Sequence, residues 1–179
     1  MFVVAVLACR SQPQQLKPRN LIDISAASGA VAAKLVADPN GPELKRGPGE
    51  EYVAPQLSVN NRPPKYPADL LPLNLPRKAA SVRVTFDENG RVIDVVPSPI
   101  GEITHDEYES AFMSAVTDAV CTWHCYPASI RKFRDGPDND GDGKPDYRIL
   151  VAQRFLKTFF DVTFTFEVVN GHPVVKGGG

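Results

Sequence analysis

The sequence lacks any hydrophobic run long enough to cross a bilayer as a helix. Its best candidate is the first eight residues, MFVVAVLA, whereas a spanning helix needs about 20 apolar residues. There is also no excess charge of one sign, since 20 basic and 21 acidic side chains give a formal net charge of −1. This balance gives no indication of nucleic-acid binding, so nucleic acid is not an expected partner.

Recognisable catalytic motifs are missing as well. No Gly-x-Ser-x-Gly nucleophile turn, phosphate-binding glycine loop or His-Glu-x-x-His metal motif occurs. The three histidines (His105, His124 and His172) fall at the predicted start of a helix, at its end and in a turn. The sequence therefore predicts a binding protein and not an enzyme.

Proline is abundant and unevenly placed. Eleven of the 17 prolines lie between Pro13 and Pro76, which divides the chain into a proline-rich first part and an ordinary second part. Residues 10–61 are predicted to be a tether with a short alanine-rich helix at 25–38, and no regular structure is expected in 40–64. A single domain is expected at 62–175, and it is expected to fold without the tether.

The first nine residues end in Val-Leu-Ala-Cys and resemble a bacterial lipobox, in which the cysteine is lipidated and becomes the mature amino terminus. The polar run from Ser11, SQPQQ, is typical of the tether that follows. No basic residue precedes the apolar run, as an ordinary signal peptide would require. We therefore expect lipidation at Cys9 and membrane anchoring in the bacterial cell envelope, facing the periplasm. Another export signal or a cytosolic location are the alternatives.

Within the domain, periodicity predicts an α+β fold. Residues 81–86 alternate as a half-buried strand, Asp87 to Gly90 forms a hairpin turn, and 91–96 returns. A capping box, Thr104 to Glu107, predicts the start of a helix that runs to Trp123. Alternation at 160–168 predicts a long strand. The expected architecture is one small antiparallel sheet in the order β-β-α-β, with the helix packed on it.

This order of residues resembles the TonB carboxy-terminal domain family. The matching segments are Tyr66-Pro67, the Val-x-Val-x-Phe strand at 82–86, the turn leading to Arg91-Val92, the run from Ala119 to Ala128, and the aromatic strand at 162–168. The resemblance implies an envelope protein that pairs a sheet edge with a peptide of a partner, for instance an outer-membrane transporter. It departs from the family at Ala79-Ala80-Ser81, at Cys125 and in an inserted loop, residues 129–146.

The inserted loop carries the sharpest motif in the chain. Its pattern D-x-D-x-D-G-x-x-D is similar to thrombospondin type 3 calcium loops, which supply several oxygen ligands from one tight turn. The expected ligands are Asp138, Asp140, Asp142, the carbonyl of Lys144, and Asp146. Calcium would be structural here, because Ile149 stands where an EF-hand has its bidentate glutamate. The alternative is an acidic, solvated loop without an ion.

Two further cysteines, Cys121 and Cys125, lie one helical turn apart near the predicted end of the helix. They could form a disulfide or remain two separate thiols, and zinc would lack a fourth ligand beside His124. Three functions stay open. The first is a lipid-anchored envelope interaction module, and the second is an energy transducer whose amino terminus is truncated. The third is a calcium-dependent carbohydrate or envelope binder.

Overall fold

The computed structural model describes residues 47–178 as an α+β fold with antiparallel strands in three small sheets. The elements follow in chain order: β1 (Glu50–Val53), β2 (Gln56–Leu57), a 3-10 turn (Ala68–Leu73), β3 (Lys78–Phe86), β4 (Val92–Pro97), α1 (Glu109–Val120), β5 (Cys125–Tyr126), β6 (Ser129–Asp135), β7 (Arg148–Phe155), β8 (Thr158–Val169) and β9 (His172–Gly178). No helix within residues 47–178 is long and apolar enough to span a membrane.

The main sheet has the strand order β4-β3-β8-β9. Its two central strands are the ones whose sequences alternate most clearly, and they pair so that Val82 lies opposite Val162 and Val84 opposite Phe160. Because successive side chains point to opposite faces, this register places the buried apolar residues of both strands on one face, whereas Phe159 lies on the other face against Arg83. The face with the buried residues is the core of the domain.

Helix α1 covers this face. Phe112, Val116 and Val120 recur at helical spacing and are buried against the sheet. The Phe112 ring packs edge-on against Tyr66, with 5.4 Å between ring centroids, and is tilted against Phe166 at 4.9 Å. Since each fully buried phenylalanine contributes about 2 kcal/mol, this cluster fixes the helix to the sheet.

The hairpin turn predicted at Asp87 to Gly90 is present, and a second hairpin turn follows at Asn170-Gly171. In the first, Asp87 Oδ1 accepts hydrogen bonds from the amides of Asn89 (2.9 Å) and Arg91 (2.8 Å), and only Gly90 has a positive φ. In the second, both Asn170 and Gly171 have positive φ, as a two-residue turn between β8 and β9 requires. Local sequence therefore determines both reversals.

The predicted capping box is wrong. The helix begins at Glu109, and no side chain caps it. Thr104 instead pairs with β3: its amide donates to the Ala79 carbonyl (2.8 Å), and its hydroxyl accepts from the Ala79 amide (2.8 Å). Asp106 accepts a backbone hydrogen bond just before the helix instead: its Oδ1 accepts from the Tyr108 amide at 2.9 Å. Pairing with the sheet edge thus removes the threonine from the helix.

Two predicted boundaries are also wrong. The inserted segment 129–146 is not a loop throughout, because its first seven residues form β6, which pairs with β7. Residues 50–57, assigned to the tether, form β1 and β2 and pair with β6 and β5. The expected single sheet is therefore three sheets. Residues 10–46 lie outside the described part of the chain, as does the helix predicted at 25–38.

Candidate functional site: the arm and its outer edge

Strands β6 and β7 and the connecting residues 136–147 form a hairpin, here called the arm. Its two ends meet where the Leu156 amide donates to the Ala128 carbonyl at 2.8 Å. At this root Ala128, Ser129 and Ile130 are buried, and the rest of the arm becomes progressively exposed. The arm is therefore anchored at one end and projects at the other.

Strand β7 is an edge strand of the three-stranded sheet β1-β6-β7. Seven of its eight residues are exposed, including the apolar side chains of Leu150 (48%), Val151 (47%) and Phe155 (49%). It contains neither proline nor glycine. The other long edge strand, β9, contains Pro173 and two glycines, and β4 ends in Pro97. Among the described edge strands, β7 is thus the longest and the least blunted.

The outward-facing backbone groups of β7 follow from its pairing with β6. The Gly136 amide donates to the Tyr147 carbonyl at 2.8 Å, and the Leu156 amide to the Ala128 carbonyl, so both pairs are hydrogen-bonded pairs. Antiparallel pairs alternate, and a bulge leaves Val151 as an extra residue between Leu150 and Ala152. The amides directed away from β6 are therefore those of Arg148, Leu150, Gln153 and Phe155.

The strands of the arm are basic. Together β6 and β7 carry five basic side chains and one acidic one, Asp135. Arg148 forms an ion pair with Glu51 of β1, and its guanidinium lies 4.4 Å from the centre of the Phe133 ring. No ion pair with another described residue involves Arg154 at the other end of β7. Each end of β7 thus carries an arginine, and the side chain of Arg148 extends across β6 toward β1.

The segment before the 3-10 turn fixes the arm to the body of the domain. β1 pairs with β6, and β2 continues along β5. Asn61 then bonds the backbone of His124 twice, accepting from its amide (2.9 Å) and donating to its carbonyl (2.9 Å). The Trp123 indole donates to the Arg62 carbonyl at 2.8 Å. This segment belongs to the domain, and sequence reasoning missed it because its apolar residues are too few to show a period.

The predicted calcium loop lies at the tip of the arm. It brings together three of the four aspartates, since the carboxylates of Asp138, Asp140 and Asp146 have oxygens within 4.8 Å of one another. The loop curls because Asp138 accepts the amides of Gly141 (2.7 Å) and Gly143 (2.9 Å). These backbone hydrogen bonds hold the pKa of Asp138 below its usual value. The three carboxylates are thus crowded into one turn.

The fourth predicted aspartate lies outside this cluster. Asp142 turns its Oδ1 to the amide of Lys144, at 2.8 Å, and is not among the three gathered carboxylates. Among the described residues, no atom lies within 4 Å of where a Cβ would stand at Gly141 or Gly143, so the loop is open at both glycines. The geometry gathers part of the predicted ligand set.

The disulfide considered possible between Cys121 and Cys125 is not formed. Cys125 is a free, buried thiol on β5, and burial raises its pKa to about 12, with the charge of Asp87 adding to the effect. It is therefore neutral at physiological pH and a weak nucleophile. Its strand turns away from the end of α1 to pair with β2, so the helical spacing assumed for the pair does not continue to Cys125. Cys9 lies outside the described residues.

Comparison of the chain with protein-family models, with curated proteins and with solved structures finds no match. The resemblance to the TonB carboxy-terminal domain remains a prediction that rests on the residues quoted for it.

Proposed function

We propose that this protein is a cell-envelope interaction module that binds an extended segment of a partner protein by adding it as a strand beside β7. The observation that supports this function best is the exposed edge itself, with outward amides and three half-exposed apolar side chains. Such an edge binds through main-chain hydrogen bonds and reads alternate side chains of the partner. No catalytic constellation competes with this function among the described residues.

The TonB resemblance supports envelope location and edge pairing, but the site differs. The family-like aromatic strand is β8, and in this chain β9 pairs with it from Thr163 to Val169. That edge is occupied, so the inserted arm takes its place as the pairing surface. Lipidation at Cys9 would hold the module on a membrane, and an outer-membrane transporter is one partner of the proposed kind.

We also propose a structural calcium ion at the tip of the arm. Three carboxylates gathered this closely offer several oxygen ligands in one turn, and a divalent cation between them would remove the repulsion of like charges. No other described residue approaches the loop at Gly141 or Gly143, so the geometry there gives no support to a carbohydrate site built around the ion. The role proposed for calcium is to stiffen the arm.

The decisive test uses two variants of one residue. Random ten-residue peptides displayed on phage are selected against the full chain, and the enriched peptides are measured against Gln153→Pro and Gln153→Ala. The proline removes an outward amide that the partner strand needs, while leaving the bonds to β6 in place. The alanine removes the Gln153 side chain and its 3.2 Å hydrogen bond to Ser129, but keeps the amide.

We expect Gln153→Ala to bind within about threefold of the original chain and Gln153→Pro to lose about tenfold or more, as losing one or two net hydrogen bonds predicts. Circular dichroism should show both variants folded. Equal binding by the proline variant would mean that the selected peptides bind elsewhere, and failure to enrich any peptide would overturn the function.

A further inference from the structure

We infer that the partner segment is acidic at both ends and apolar in the middle, with its two acidic residues five positions apart. This rests on the proposed function, because it specifies which extended segment fits β7. The first reason is composition: β7 carries Arg148 and Arg154, has no acidic residue, and holds an exposed apolar stretch between the two arginines.

The spacing follows from the bulge. Arg148 and Arg154 are six residues apart in β7, but Val151 is an extra residue in that interval. A regular partner strand therefore covers the same distance with one residue fewer, about 17 Å at 3.4 Å per residue. The bulge also places the two arginines on opposite faces, and two positions five apart in a regular strand alternate in the same way. Acidic residues at positions one and six of the partner thus face both arginines.

The two arginines are not equivalent. Arg148 already shares its charge with Glu51, whereas Arg154 forms no ion pair with another described residue. A partner carboxylate beside Arg154 therefore gains a new attraction, and one beside Arg148 competes with an existing one. Cross-strand opposite charges stabilise a pair and like charges destabilise it. Arg154 should contribute more to recognition.

The same charges disfavour a second copy of the chain as the occupant. In a centred antiparallel pairing of two β7 strands, the Arg148 end of one copy lies beside the Arg154 end of the other. Each end of that interface would collect two arginines and no carboxylate from either β7. A segment with acidic ends would instead place a carboxylate beside an arginine at each end of β7. The charge pattern therefore favours a partner segment from another protein over a second copy of this chain.

The test compares two capped synthetic peptides, SEVTVTES and SKVTVTKS, which differ only at their charged residues. Fluorescence anisotropy with the full chain should show the Glu peptide binding at least about tenfold more tightly at low salt, with the difference shrinking as salt rises. Arg154→Glu should weaken the Glu peptide about three- to tenfold and strengthen the Lys peptide. Lys176→Glu on β9 makes the same change in net charge and should leave both affinities nearly unchanged.

The outcomes distinguish the acidic preference of the partner from the proposed edge pairing on which it rests. If both peptides bind equally and Gln153→Pro weakens both, edge pairing stands and the acidic preference is wrong. If neither binds and no selected peptide depends on Gln153, the proposed function fails as well. Sedimentation that shows a dimer, strengthened by Arg154→Glu, would overturn the inference in favour of a second copy of the chain. Tighter binding of a single-stranded oligonucleotide than of the Glu peptide, if it depends on Arg154, would overturn it in favour of nucleic acid.

Discussion

Gly90 is the residue where the first hairpin and the end of the helical segment come closest. Its φ of +75° suits glycine, and a Cβ there would overlap the carbonyl oxygen of Cys125, whose amide donates to the Gly90 carbonyl at 3.0 Å. The adjacent residues Arg91 and His124 form an isolated bridge. One glycine thus allows the main sheet and the segment after α1 to meet.

We expect Gly90→Ala to destabilise the fold by about 3 kcal/mol or more, because left-handed strain and a backbone clash add. Gly171→Ala is the matched control: its φ is +77°, but nothing lies within 4 Å of the new Cβ. Backbone strain alone should lower the free energy of unfolding of Gly171→Ala by about 1 kcal/mol. Urea unfolding measures the loss of unfolding free energy in both variants, provided that the m-value is unchanged. Equal losses would show that the contact with Cys125 does not contribute to stability.

Lys78 and Asp106 form the most buried lysine–carboxylate pair in the described part of the chain, and the Lys78 side chain is only 8% exposed. The hydrogen bond from Lys78 holds the pKa of Asp106 below its usual value. A carboxyl group whose pKa is lower in the folded state stabilises the fold at pH values above its pKa in the unfolded chain. This stabilisation is lost as the pH falls through the folded-state pKa. Stability should therefore decline as pH drops below about 4.

Asp106→Asn should reduce this acid-induced decline and should lower stability at pH 7, because Lys78 stays buried without a counter-charge. Asp118→Asn, on the exposed side of α1, is the control and should do neither. Chemical unfolding midpoints between pH 2.5 and 7 measure the effect. An unchanged slope in Asp106→Asn would show that other carboxylates cause the acid loss.

At the level of elements, β1 and β2 reverse an expectation drawn from the sequence. The domain was expected to fold without residues before 62, yet these strands complete two of the three sheets, and Leu57 packs against the core. Residues 62–178 should therefore unfold at a temperature lower by roughly 5 °C or more than residues 47–178. Scanning calorimetry compares the two. Identical transitions would show that β1 and β2 contribute nothing to stability.

The arm tip offers a second test at this scale. Millimolar calcium should raise the unfolding temperature by about 2–6 °C, because a ligand of the folded state stabilises it by mass action. Magnesium should do less, since it sheds water reluctantly. Asp140→Asn should abolish the calcium effect, while Asp135→Asn in the same arm, outside the carboxylate cluster, should keep it. No heat of calcium binding in metal-free protein would leave a solvated acidic loop.

The elements also show which parts of the fold the sequence could reveal. Residues 81–86 and 160–168 were predicted because one face of each packs on α1, and burial on one face produces alternation. Strand β6, SIRKFRD, shows no such pattern because only its first two residues are buried and the other five are half-buried or exposed. Strand β1, EEYV, forms only through its pairing with β6. The sheet that carries the proposed binding edge therefore lies where burial produces no period.

For the whole molecule, the anchor remains a prediction from the sequence. Cys9→Ala should release the protein from membranes, because the lipobox-like cysteine is the proposed attachment point. Fractionation of cells that express each form, together with incorporation of labelled palmitate, checks this. Cys125→Ala is a control that leaves the amino-terminal motif intact. Sedimentation of Cys9→Ala with membranes, as for the original chain, would contradict lipidation.

The pairing of β1 with β6 decides where a pull on the chain from upstream is felt. The chain enters the described fold beside Gly49, whose carbonyl accepts the Phe133 amide of β6 at 2.8 Å. Anything that holds the chain upstream of residue 47 therefore pulls on the arm first. Because β1 pairs only with β6, the load reaches the three-stranded sheet before it reaches the main sheet.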